Sequence, residues 1–320
     1  MDKTKKTMKR KTKRTLCTVI ITLIMFFSAF SGVYCARMYT MPYSSNIIKT
    51  FDEDTLEEVE ISKEKCNILI MGTDKSGMLT DVMMLMQIDP IDNNITVMSI
   101  PRDSRVNYKG SWMKLNSVHA NAQKQEKSGS EAAIIAIKDL TGIPINHFVK
   151  INFTAFEKSI DELGGVDFNV PQRMKYKDPY QDLDIDLKPG MQHLDGNQAE
   201  QLVRFRQYTN GDIDRIKVQQ DLIHAIADQK LKLKYVGKVD NIYRIIAKDM
   251  ETSMSIEDVV QISGNILDIG GDKIVTITMP NTPQYIGNVS YVIPEYGQID
   301  TVRREYFAYD SEGNDIERKK

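Results

Sequence analysis

Residues 67–103 read NILIMGTDKSGMLTDVMMLMQIDPIDNNITVMSIPRD, and this stretch decides the fold. NILIM (67–71), DVMMLMQID (81–89) and NITVMSI (94–100) are short apolar runs bounded by turn residues, the pattern of strands buried in a sheet. Pro90, Ile91, Asp92 and Asn93 join the second run to the third, which predicts a hairpin. Downstream the period switches back and forth. SGSEAAIIAIKDLTG (128–142) predicts a helix capped by Ser130, with Ile134, Ile137 and Leu140 on one face and Gly142 as its stop. INHFVKINF (145–153) predicts a strand, FTAFEKSIDELGG (153–165) a helix, and VDFNV (166–170) a strand. LDIDL (183–187) alternates apolar and acidic residues, as a half-exposed strand does. DGNQAEQLVRFR (195–206) is a short helix and DIDRIKVQQDLIHAIADQKLK (212–232) a long one. Ser255 to Asp258 opens another helix with a capping-box-like pattern, and KIVTITM (273–279) adds a late strand. The alternation implies an α/β fold with a mixed central sheet and helices on both faces, an α-β-α sandwich.

Outward from this domain the charges separate. The 320 residues carry a formal net charge of −2. Residues 1–14 hold eight basic side chains against Asp2 alone, so the remainder is acidic. Between them, residues 15–36 contain no charge, and 22 residues in a helix reach about 33 Å, enough for a hydrocarbon core of about 30 Å. The basic flank keeps the N-terminus cytoplasmic and puts everything after Arg37 outside, on a single-pass anchor in the cell membrane. A cleaved signal peptide, with Ala29-Phe30-Ser31 as its site, is the alternative. Residues 37–64 form an acidic spacer, 65–300 the extracytoplasmic domain, and 301–320 a charged tail expected to fray from about Arg303. An acidic exterior domain excludes nucleic acid as a partner. Cys17, Cys35 and Cys66 make no disulfide framework, and the scattered His119, His147, His193 and His224 suggest no zinc site.

Three polar islands interrupt the apolar elements. Gly72-Thr73-Asp74 ends the first strand and Asp81 starts the second, so two carboxylates border one loop, a pair suited to a hard cation beside phosphate oxygens. SIPRD (99–103) ends a strand and presents Arg102, whose planar fork matches phosphate. Arg204 and Arg206 would point the same way on an extended chain. Asp212, Arg215 and Gln219 share one helix face near its N-terminus, the end that favours anions.

These islands sit within motifs that together resemble the LytR-CpsA-Psr family of membrane-anchored cell-wall ligases. The motifs are NILIMGTD (67–74), TDVMML (80–85), SIPRD (99–103), KLNSVHA (114–120), LTGIPINHFVKINF (140–153), DELGGVDFNVP (161–171), GMQHLDGNQAEQLVRFR (190–206) and GDIDRIKVQQ (211–220). The resemblance implies a phosphotransferase that takes a glycopolymer from a polyprenyl-pyrophosphate-linked donor to a peptidoglycan hydroxyl. It implies that Asp74 and Asp81 hold Mg²⁺ or Mn²⁺. It further implies that Arg102, Arg204, Arg206 and Arg215 grip the pyrophosphate, with Gln219 as a supporting contact and Asp212 as general base; Arg102, Asp212 and Arg215 form the catalytic set. The lipid tail is expected between sheet and helices. A pyrophosphatase acting on the same donors and a non-catalytic lipid- or glycan-binding regulator remain alternatives. Two positions where the family pattern carries arginine hold Leu79 and Val218 instead.

Overall fold

A computed structural model describes residues 55–57, 64–73, 77–125, 128–179, 183–209, 211–230, 232–269 and 271–316. The basic tail, the uncharged span, most of the acidic spacer and Asp74 lie outside the described residues. No helix among the described residues is long and apolar enough to cross a membrane.

Fourteen strands are described. β1 (Cys66–Thr73), β2 (Thr80–Asp89) and β3 (Asn94–Ser99) arise from the three apolar runs. β4 (Arg105–Tyr108) and β5 (Ser111–Lys114) form a hairpin, and β6 is His147–Asn152. β7 (Val166–Val170), β8 (Met174–Asp178), β9 (Leu183–Leu187) and β10 (Gly190–Leu194) follow. β11 (Met250–Thr252), β12 (Ile274–Thr278), β13 (Asn281–Ile286) and β14 (Val289–Pro294) close the series. Six of them build the central sheet in the order β11-β6-β1-β2-β3-β12. β1/β6 and β3/β12 run parallel and the other pairs antiparallel, so the sheet is mixed, as the sequence suggested. The β2–β3 hairpin closes at Asp89↔Asn94, and the Asp89 carboxylate accepts from the backbone N–H groups of Ile91 and Asp92.

Strand alternation splits the core. Leu69, Met71, Leu85 and Phe148 face the helices Leu115–Gln123 and Gly129–Thr141. Ile68, Met84, Ile88 and Val97 face the helix Ile256–Ile269. Helices therefore cover both faces. A separate core joins β7–β10 to the helices Gly196–Arg204 and Asp212–Lys230, through Phe168, Ile185, Leu202 and Leu222.

Three local expectations change. The helix Gly129–Thr141 is capped by Ser128, whose side chain accepts from the Glu131 N–H at 3.2 Å, and Ser130 is buried one residue inside the first turn. Gly142 ends it in the left-handed region at φ 65°, as expected. Residues 55–57 of the spacer pack on the domain: Thr55 is buried and the Glu57 N–H donates to the Ile145 carbonyl at 3.0 Å. The segment 303–309 is packed, not frayed. Arg303, Phe307, Ala308 and Tyr309 are buried. The cause lies in the sheet, where Asn67 and Gln87 are fully buried amides that require partners. The Gln87 amide donates to the Phe307 carbonyl, and the Asn67 amide donates to the Tyr309 hydroxyl, each at 2.9 Å.

Phe307→Ala should therefore destabilise the fold by about 3–5 kcal/mol, from lost apolar burial and a cavity beside two buried amides. Urea denaturation checks this, and a change under about 1 kcal/mol would restore the picture of a dispensable tail.

Candidate active site

Asp81 owes its position to a β-bulge. Gly72 pairs with Val82 and Thr73 with Thr80, so Asp81 is the extra residue on β2. Its Oδ1 accepts from Arg102, and Arg206 Nη2 lies 3.2 Å from the same atom. Arg102 stands in a tight turn after β3. The Ser104 N–H donates to the Pro101 carbonyl and the Asn116 N–H to the Arg102 carbonyl, both at 3.0 Å. Arg206 lies just past the helix Gly196–Arg204. A third arginine, Arg215, projects from the first turns of the helix Asp212–Lys230, 96% buried, with Nη2 2.6 Å from Asp212 Oδ1.

The electrostatics follow from this crowding. Burial, then the guanidinium of Arg102, lowers the pKa of Arg206, while Asp81 pulls it back up. Burial lowers Arg215 as well; Asp212 opposes that, and Arg102 and Arg206 add to it. Arg102, Arg206 and Arg215 thus feel one another as like charges. The Nε atoms of Arg102 and Arg215 are buried without a partner in the protein, donors that an anion would satisfy.

Arg204 departs from expectation. It is the last helical residue, with extended Phe205 after it, and the two arginines hold different partners. Arg204 Nη1 is 2.7 Å from Glu200 Oε1, one turn back, in a pair with both side chains buried, and its guanidinium lies 4.6 Å over the Phe153 ring. Gln219 donates to the Val203 carbonyl at 3.1 Å and so ties the two helices together. Sequence reasoning missed Glu200, Phe153 and Tyr208; the i,i+4 spacing of Glu200 and Arg204 was the available signal. Tyr208 meets Phe205 edge-on at 5.0 Å, and burial pushes its phenol well above the usual range.

Beside the arginines is a cavity of about 150 Å³. Ile70, Val82, Met84, Phe156, Leu222 and Ile223 line it, with Asn152 and Gln219 as its polar residues. Gly72 also lines it, and a Cβ there would meet Val82 Cβ at 3.2 Å. Among the described residues no three His, Cys, Asp or Glu side chains converge.

The model of the LytR_cpsA_psr family matches residues 35–307. The polyisoprenyl-teichoic acid–peptidoglycan teichoic acid transferase TagV of Bacillus subtilis is 27% identical over 261 residues, covering 78% of this chain and 65% of TagV. The TagU transferase of Oceanobacillus iheyensis is 26% identical over 269 residues and 82% of each chain. The crystal structure of Bacillus subtilis TagV superposes with a TM-score of 0.64 at 26% identity, over 76% of this chain and 95% of that one. A structure of TagT bound to LI-WTA shares the fold at a TM-score of 0.64 and 20% identity, over 82% of this chain and 97% of that one.

Removing Glu200 would strand a buried guanidinium. Glu200→Ala should cost about 3 kcal/mol of stability, and the double variant Glu200→Met, Arg204→Met should recover most of it. Equal losses in the single and double variants, in chemical denaturation, would refute that account.

Proposed function

Because the chain belongs to the LytR_cpsA_psr family, we propose that it is a membrane-anchored phosphotransferase of cell-wall assembly. It moves a glycopolymer phosphate from a polyprenyl-pyrophosphate-linked donor to a peptidoglycan hydroxyl. The observation that carries this reading is the convergence of Arg102, Arg206 and Arg215, the Nε atoms of Arg102 and Arg215 buried and unpartnered, beside an apolar cavity. An amphiphile with a pyrophosphate head and a prenyl tail matches that pairing. The names of TagV and TagU point the same way.

In this reading the pyrophosphate exchanges places with Asp81 and Asp212 as partner of the three guanidinium groups, and Arg204 borders the same site from its helix end. The acceptor hydroxyl loses its proton to the Asp212 carboxylate. Its oxygen bonds to the phosphorus that carries the sugar. The bond from that phosphorus to the bridging oxygen breaks, and polyprenyl phosphate leaves with the electron pair. Fixed guanidinium groups stabilise the charge where it develops, so positioning and electrostatics supply most of the rate. Asp81 and Asp74 are the residues that would hold Mg²⁺ or Mn²⁺. A strand-end carboxylate with no cluster of three His, Cys, Asp or Glu around it among the described residues suits Mg²⁺, which takes its other ligands from phosphate and water. Such an ion would supply further neutralisation of the phosphate oxygens. The N-terminal span would hold the site near a membrane-borne donor and raise its effective concentration.

The full chain in vesicles, given lipid-linked glycopolymer, Mg²⁺ and peptidoglycan oligomers, should form a covalent glycan–peptidoglycan product seen by mass spectrometry. Arg102→Ala and Asp81→Asn should each lower kcat/KM by about 100-fold or more, and Arg102→Lys should not rescue, since the planar fork is lost. Release of phosphate-ended glycan alone would instead assign a pyrophosphatase. A folded chain inactive on several donors at any Mg²⁺ level would count against both. Ile223→Trp, which fills the cavity, should weaken the binding of long prenyl donors by about tenfold and spare donors with a short prenyl chain. Equal weakening of both would remove the cavity from the lipid site.

A further inference from the structure

His119 is fully buried and is not part of the arginine cluster. It projects from the helix Leu115–Gln123. Its Nδ1 lies 3.0 Å from the Met78 carbonyl oxygen and its Nε2 3.2 Å from Lys150 Nζ. A carbonyl only accepts and an ammonium only donates. The ring therefore carries its proton on Nδ1 and its lone pair on Nε2, a tautomer assigned from its partners. Lys150 on β6 stands opposite Glu251 on β11, and the same ammonium donates to the Glu251 carboxylate. Gly129 leaves room for the ring, since a Cβ there would sit 2.8 Å from both Cδ2 and Nε2. A chain of polar contacts thus runs from the edge strand, through Glu251, Lys150 and His119, to the backbone of Met78.

Met78 lies three residues before Asp81, and Asp81 is the extra residue of the bulge. A bulge re-aims one side chain, and that aim depends on how the chain approaches it. We infer that His119 is a positioning residue for Asp81: its Nδ1–H fixes the Met78 carbonyl and so holds the bulge that points Asp81 at Arg102 and Arg206. The effect on transfer rests on the phosphotransferase reading; the effect on local geometry does not.

Asn at position 119 can place an amide N–H where Nδ1–H stands, whereas Gln reaches toward Lys150 and gives up Met78. His119→Gln should speed amide hydrogen exchange in the segment 78–82 by about tenfold and lower kcat/KM for transfer similarly, whereas His119→Asn should stay within about twofold of the wild type. Equal behaviour of the two variants, or unchanged exchange in both, overturns the inference. Altered exchange with unaltered transfer keeps the positioning role and removes Asp81 from the chemistry. If neither variant folds, ¹⁵N-histidine spectra of the unsubstituted full chain decide. The Nδ1–H tautomer is expected for His119, and an Nε2–H tautomer overturns the inference.

Discussion

A single carboxylate oxygen, Asp81 Oδ1, holds two guanidinium groups that arrive from different parts of the chain, Arg102 from the turn after β3 and Arg206 from the segment after a helix. Most of the site depends on that junction. Arginines brought together in a half-buried place repel one another and lose hydration. The depressed pKa values of Arg206 and Arg215 record that cost, with burial as the leading cause in both. Asp81, Asp212 and Glu200 offset it by giving each guanidinium a counter-charge before any ligand arrives. The offset is incomplete, because the Nε atoms of Arg102 and Arg215 stay buried without partners. A cluster built this way is assembled in advance yet retains unused donors.

The sheet supplies the rest of the environment through its period of two. On β1, Ile68, Ile70 and Gly72 share one face while Leu69 and Met71 take the other. The second pair fills the core against the helices Leu115–Gln123 and Gly129–Thr141. The first set faces the helix Ile256–Ile269, and Gly72 withholds a side chain that would press on Val82. On this face lies the apolar cavity, lined by Ile70, Gly72, Val82 and Met84 from β1 and β2. Gly72 pairs with Val82, the neighbour of the bulged Asp81, and both line the cavity, so the aim of Asp81 and the shape of the apolar space are set at one place.

How much of this was legible in the sequence depended on the range of the interaction. The strands NILIM, DVMMLMQID and NITVMSI were legible because burial on both faces leaves an unbroken apolar run. The long helix Asp212–Lys230 was legible because Asp212, Arg215 and Gln219 recur on one face. The candidate arginines were legible as a reversal of sign in an acidic domain, and the structure brings Arg102, Arg206 and Arg215 together. What sequence patterns missed was non-local or conformational. The tail beyond Arg303 reads as polar, yet it is held by Asn67 and Gln87, more than 200 residues away. Arg204 and Arg206 look equivalent in sequence, but the helix ends between them, and one turns back to Glu200. The bulge at Asp81 leaves no compositional mark at all.

The two positions where the resemblance led one to expect arginine are resolved differently by the fold. Val218 is buried among Leu202, Phe205 and Leu222, so it is a core residue of the helix Asp212–Lys230. An arginine placed there without other changes would put its stem into that core and its charge among apolar side chains, at a cost of several kcal/mol. Leu79 is 42% exposed at the edge of the loop before Asp81, where an arginine would be free to reach toward the cluster. The first absence is thus embedded in packing, and the second is a change at the rim. A cluster already carrying Arg102, Arg206 and Arg215 around Asp81 and Asp212 has its internal geometry set without either one. Only the absence at Leu79 removes charge from the rim of the cluster, where a further guanidinium would add to the positive field that Arg102, Arg206 and Arg215 already set up.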